Sequence, residues 1–74
     1  MSKLPLLSAS RLCRALEKIG YQIDHQTGSH IILRNEKHPY RRLTVPNHKE
    51  IAKGTLRAIV RQAGISVEEL VSLL

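Results

Sequence analysis

Few side chains in this 74-residue chain can do chemistry: four histidines, one cysteine, six acids and twelve Lys or Arg residues. His30 has the most suggestive setting. It follows Gly28-Ser29 and opens the run His30-Ile31-Ile32-Leu33-Arg34. Read as a strand, this run puts Ile31 and Leu33 on one face and His30, Ile32 and Arg34 on the other. Arg34 is costly to bury unpaired, so its face is the open one. On a neighbouring strand Arg42 and Thr44 join that face. The expectation is an imidazole beside guanidinium groups on an exposed sheet surface, with Gly28 and Ser29 allowing close backbone approach and positioning the ring.

This combination suits phosphodiester chemistry. An isolated imidazole titrates at about 6.5, and neighbouring cations disfavour its charged form. A neutral imidazole can accept a proton at neutral pH. In RNA that proton is the one on the 2′-hydroxyl, which can attack the adjacent phosphate, while arginines hold the phosphate oxygens and stabilise developing charge. DNA lacks the nucleophile. The competing reading of His30 is a surface histidine at a strand end. Efficient cleavage also wants a general acid, for which His48, a lysine or water are all open.

The remaining groups are read as structural. Tyr21, Ile23 and His25 alternate with Gln22 and Asp24, which places His25 on the core face. His38 lies in a polar loop. His48, in Val45-Pro46-Asn47-His48, is either a second acid/base or a helix-entry residue, the latter being favoured. Cys13 falls on an apolar helical stripe and reads as a buried, inert thiol. No C-x-x-C pair exists and no two histidines stand four apart on a helix, so neither a metal site nor a cofactor is expected. Lys53, Arg57 and Arg61 recur every four residues, with Lys49 just before them. This basic stripe is mildly self-repelling, and a phosphate backbone reverses that cost. The helix start near Gly54-Thr55 adds N–H donors and a favourable dipole for an anion. The candidate RNA contacts are therefore Arg34, Arg42, Lys49, Lys53, Arg57 and Arg61.

The elements that must position these groups follow from periodicity. Ser8 is a helix N-cap, and Ala9, Leu12, Cys13, Leu16 and Ile19 recur at helical spacing before Gly20. Strands are expected over Tyr21–His25 and His30–Asn35, joined by a tight turn, and over residues 41–46, where Pro46 ends the ladder. Leu56, Ile59, Val60 and Ala63 mark a second helix ending at Gly64. Ser66 and Glu69 have capping-box spacing and open a short last helix with Val67, Leu70, Val71 and Leu74 on its apolar side. The fold class is α+β: a small two-layer domain of helix, three-stranded antiparallel sheet and helix, with a short C-terminal helix.

Composition agrees with one domain over residues 1–74. A domain this small buries only about 60% of its unfolded surface. With no Trp and no Phe, its core is aliphatic. The net charge is +6, and residues 31–61 account for all of it, with eight of the twelve basic residues against Glu36 and Glu50. A basic zone of this kind is the footprint of a polyanionic partner. The single cysteine, the lack of an apolar run of membrane-spanning length and an N-terminus unlike a leader point to the cytoplasm and away from the membrane.

Four short patterns carry a resemblance: Gly28-Ser29-His30, Val45-Pro46-x-His48, Gly54-Thr55-Leu56-Arg57 and Ile59-x-Arg61-Gln62-Ala63-Gly64-Ile65. In this order the chain resembles the HicA toxins of bacterial toxin–antitoxin systems over nearly its whole length. The resemblance implies a fold like that of a double-stranded-RNA-binding domain and an mRNA-cleaving ribonuclease that stops growth. It carries the catalytic role to His30, and it implies a HicB-type antitoxin covering the active face. Two other readings use the same basic zone: a non-catalytic RNA-binding module, which does not need His30, and a protein-interaction module for an acidic partner.

Overall fold

The first helix starts where Ser8 stops the extended chain. Its hydroxyl accepts the Arg11 N–H at 3.2 Å, which satisfies one of the donors that a helix start leaves free. The computed structural model describes residues 3–74; Met1 and Ser2, where the leader reading begins, lie outside the described residues. The elements are α1 (Ala9–Glu17), β1 (Tyr21–Thr27), β2 (His30–Asn35), β3 (Arg42–Pro46), α2 (Lys53–Ala63) and α3 (Val67–Leu73). The sheet is antiparallel in the order β1-β2-β3. All three helices lie on one side, as an α+β two-layer arrangement similar to a double-stranded-RNA-binding domain.

The core is aliphatic apart from one ring. Leu12, Leu16, Leu33, Leu43, Val45, Ile51, Leu56 and Leu70 are buried with Tyr21 between helices and sheet. Cys13 is buried among them, as expected, and burial, with a smaller push from Glu17, raises its thiol pKa. The Tyr21 hydroxyl is buried with no hydrogen-bond partner among the described residues.

Strand pairing decides what faces outward, and one residue upsets the expected alternation. The two-residue turn Gly28–Ser29 pairs Thr27 with His30, Gln26 with Ile31 and His25 with Ile32. Continued without interruption, this register would set Asp24 against Leu33 on the core side and put Ile23 and Tyr21 outside. Burying that carboxylate beside an aliphatic side chain costs several kcal/mol. The chain instead inserts a β-bulge between Ile23 and His25, after which Ile23 pairs with Leu33, Gln22 with Arg34 and Tyr21 with Asn35. Tyr21 thereby returns to the core. His25 does not pack on the core face: it is exposed on the open face, because the bulge shifts the side-chain phase between it and Ile23.

Two other expectations are corrected. The second helix begins at Lys53, capped by Ala52 with no side-chain cap bond, so Gly54 and Thr55 lie inside its first turn. In α3 the capping box of Ser66 and Glu69 is present, but only Leu70 is buried, and Val71 and Leu74 are exposed. The helix packs at the rim of the core. There Leu73 is the partly buried companion, and its carbonyl accepts the Lys18 ammonium at 2.7 Å.

Candidate active site

The open face of the sheet is built from three cross-strand rows. Thr27, His30 and Pro46 form the first, His25, Ile32 and Thr44 the second, and Gln22, Arg34 and Arg42 the third. Successive rows on one face of a sheet are about 7 Å apart. His30 thus opens β2 on the open face, exposed, as its alternation with Ile31 and Leu33 requires.

Its neighbourhood is set by the turn. Gly28 has φ +23°, while Ser29 does not leave the negative side; positive φ at the first turn residue alone is the pattern of a type II′ hairpin, which favours glycine there. Nothing lies within 4 Å of where a Gly28 side chain would start, so a ligand can approach the backbone beside His30. Ser29 Oγ lies 3.2 Å from His30 Nδ1. When Nδ1–H donates to that hydroxyl, Nε2 is the bare nitrogen facing solvent, the tautomer a base needs. The Ser29 carbonyl also accepts the Asn47 N–H at 2.8 Å. This bond brings the segment Pro46-Asn47-His48 against the turn. His48 is exposed, and its carbonyl accepts the Ala9 N–H at 2.9 Å, so its backbone anchors the start of α1.

The guanidinium groups are not beside the imidazole. Arg34 and Arg42 pair with each other in the row farthest from His30, two rows or about 13 Å along the strand, with Ile32 between. They converge on Asp24. Its Oδ2 stands 3.6 Å from Arg42, 3.9 Å from Arg34 and 2.9 Å from His25 Nδ1. The hydrogen bond from His25 outweighs a desolvation cost and, with the charges of Arg34, His25 and Arg42, lowers the Asp24 pKa below the ordinary aspartate value. The carboxylate is therefore ionised at neutral pH and can only accept, so His25 donates through Nδ1–H.

Asp24 and His25 are the groups that reading by alternation missed. The signal was present as a parity conflict. A two-residue turn before His30 and a buried Leu33 together force Asp24 inward unless the first strand carries an extra residue.

The basic stripe lies elsewhere. Leu56, Ile59, Val60 and Ala63 turn α2 onto the core side of the sheet, so Lys53, Arg57 and Arg61 run along an exposed flank of the helix layer and not on the open sheet face. Lys53 starts the helix at the His30 end of the molecule, and Lys49 precedes it in the connection from β3. Arg61 is near the other end, where Arg41 donates to the Gln62 carbonyl at 3.2 Å. Among the described residues, no three His, Cys, Asp or Glu side chains gather as a metal-ion site.

A family model described as HicA toxin of bacterial toxin-antitoxin matches residues 9–65, from the first residue of α1 to just past the end of α2. The chain belongs to the HicA toxin family. No curated protein matches it. All four patterns carrying the resemblance fall inside the matched span, and two of them, at residues 28–30 and 45–48, meet through the Ser29–Asn47 bond. Membership makes this HicA-family chain the toxin of a toxin–antitoxin system and implies a cognate antitoxin as partner. None of its described helices is long and apolar enough to cross a membrane.

Proposed function

We propose that this HicA-family toxin, one domain over residues 1–74, is a metal-independent endoribonuclease that cleaves mRNA in the cytoplasm, with His30 as general base. The observation that carries the reading is the corner at Gly28-Ser29-His30. There an exposed imidazole is held by a serine hydroxyl, beside a glycine with open space above it. His30 Nε2 takes the proton of a ribose 2′-hydroxyl, and the resulting oxygen attacks the adjacent phosphorus. Gly28 lets the sugar–phosphate backbone come close, and Ser29 fixes the ring. His48 supports the corner from the facing segment, mainly through its backbone.

RNA binding is assigned to two groups of cations. Arg34 and Arg42 hold phosphates on the open face. Lys49 and Lys53 meet the strand where it leaves the His30 corner, and Arg57 and Arg61 follow it along α2. The cognate antitoxin, of HicB type, covers the open sheet face and buries His30. A face with a reactive group is harmful uncovered, and Arg34 and Arg42 on it can meet acidic side chains of a partner surface.

Cleavage of a mixed RNA by purified protein in EDTA, wild type beside His30→Ala, tests the assignment. The expected result is cutting by wild type and a loss of about 10²–10⁴-fold in the variant, with its circular dichroism and RNA affinity retained. RNA that is bound and never cut by wild type would instead make the protein a non-catalytic RNA-binding module. Equal loss of binding and cutting in His30→Ala would remove its chemical role.

A further inference from the structure

A single base leaves the second half of the reaction unprovided for. As the new bond to phosphorus forms, the departing 5′-oxygen takes up a pair of electrons and needs a proton. The β-bulge supplies a group for this. His25 pairs with Ile32 and His30 stands two residues away on the same strand, so the two rings are diagonal neighbours on one face. Their Cα atoms are about 7–8 Å apart, a separation that side chains of this size can span. Both are exposed. A phosphate can therefore sit between them, with its attacking and leaving oxygens turned to opposite rings.

We propose that His25 is the general acid of the cleavage and that Asp24 is its positioning residue. The Asp24 carboxylate takes the Nδ1–H at 2.9 Å, which fixes the ring and makes Nε2 the nitrogen that gains and loses the catalytic proton. No hydrogen bond occupies that nitrogen among the described residues. The groups facing His25 are Asp24 on its own strand, Ile32 and His30 on β2, Thr44 on β3, and Arg34 and Arg42 through Asp24; the helices lie behind the sheet. Asp24 is the one anion in this set, and its hydrogen bond sets which edge of the ring is turned away from it.

His30 Nε2 removes the 2′-hydroxyl proton, and the O2′–P bond forms. The P–O5′ bond breaks with its electron pair on O5′, and His25 Nε2–H protonates that oxygen. The products are a 2′,3′-cyclic phosphate end and a 5′-hydroxyl end. His30 leaves as imidazolium and His25 as neutral imidazole, and exchange with water resets both.

This assignment rests on the endoribonuclease reading and is tested so that the two can fail separately. The substrate is an oligoribonucleotide spanning the site that wild type cuts most, made once with the normal 5′-bridging oxygen and once with sulfur. A thiolate leaves without a proton, so it needs no general acid. His25→Ala and His25→Gln are expected to lose about 10²-fold or more on the oxygen substrate and less than tenfold on the sulfur one, with unchanged circular dichroism. His30→Ala is expected to be slow on both. The alkaline limb of the wild-type pH–rate profile on the oxygen substrate is expected to disappear on the sulfur one. Wild-type rates for both His25 variants on the oxygen substrate would overturn the proposal, as would equal losses on both substrates, which would make His25 a phosphate contact. RNA left uncut by wild type would overturn the endoribonuclease reading and this assignment with it.

Discussion

Asp24 offers one oxygen to three side chains, and its titration should be visible in stability. Its folded pKa is lowered by the His25 hydrogen bond first and by Arg34 and Arg42 next. A group of this kind stabilises the fold above its unfolded pKa, about 3.9 for aspartate, and the contribution is lost as pH falls through the folded value. Melting curves of wild type and Asp24→Asn should therefore differ slightly at pH 7 and converge in acid below the ordinary aspartate range; the effect is small because the group is exposed. Tyr21 poses the opposite case. Its ring belongs in the core, but its hydroxyl is buried without a partner. Tyr21→Phe should leave the melting temperature unchanged or raise stability by about 1 kcal/mol, and a clear loss would reveal a partner for the hydroxyl. At this scale His30 and its face were legible, since a strand running from a turn through Ile31, Leu33 and Arg34 allows one orientation. The face of His25 was not, because alternation ties it to Tyr21, and the bulge that breaks this tie lies in the pairing with β2, which is invisible to the alternation of one strand.

Elements that carry their own stop and start signals were read almost residue for residue. Ser8 caps α1 and Ser66 and Glu69 cap α3, because a cap is a local bond within four residues. Gly64 ends α2 in the left-handed region at φ +76°, and an added Cβ there would collide with the Arg41 guanidinium. Gly64→Ala is penalised by its backbone angle, while the Arg41 tip can swing aside at the loss of its bond to the Gln62 carbonyl. The substitution should cost about 1 kcal/mol in a denaturant titration. Ser66→Ala should cost about 1 kcal/mol, measured in the same way. Where reading went astray, depth was the missing quantity. Val67, Leu70, Val71 and Leu74 share a helical side, yet Val71 and Leu74 remain about 40% exposed, because α3 packs at the rim of the core with Leu70 as its buried residue. The early start of α2 was hidden for a related reason. Lys53 and Gly54 carry no apolar periodicity, and Ala52 offers no capping side chain.

Across the whole molecule, the basic zone seen as one stretch of sequence divides between two surfaces. Arg34 and Arg42 lie on the open sheet face, and Lys53, Arg57 and Arg61 on the flank of α2. An RNA strand that touches both must turn around the corner at His30. Affinity for single-stranded RNA should fall with salt at a log–log slope of about −0.7 per phosphate contact. Replacing Lys53, Arg57 and Arg61 together by Gln should reduce that slope by up to about 2 while leaving the His30 corner in place. A slope unchanged by the triple substitution would place the RNA on the sheet face alone. The same corner is also tied to the far end of the chain in sequence. Ala9 donates to the His48 carbonyl, Ile51 to the Leu7 carbonyl, and Asn47 to the Ser29 carbonyl. In terms of synthesis, this is a clock. The residues that buttress the histidine leave the ribosome some twenty positions after it, and the core residues Leu56, Ile59, Val60 and Leu70 later still. On the role proposed for His30, a chain cut short before Ile51 displays the ring with neither the buttress nor the core behind it, so the proposed cleavage should require residues through Leu70.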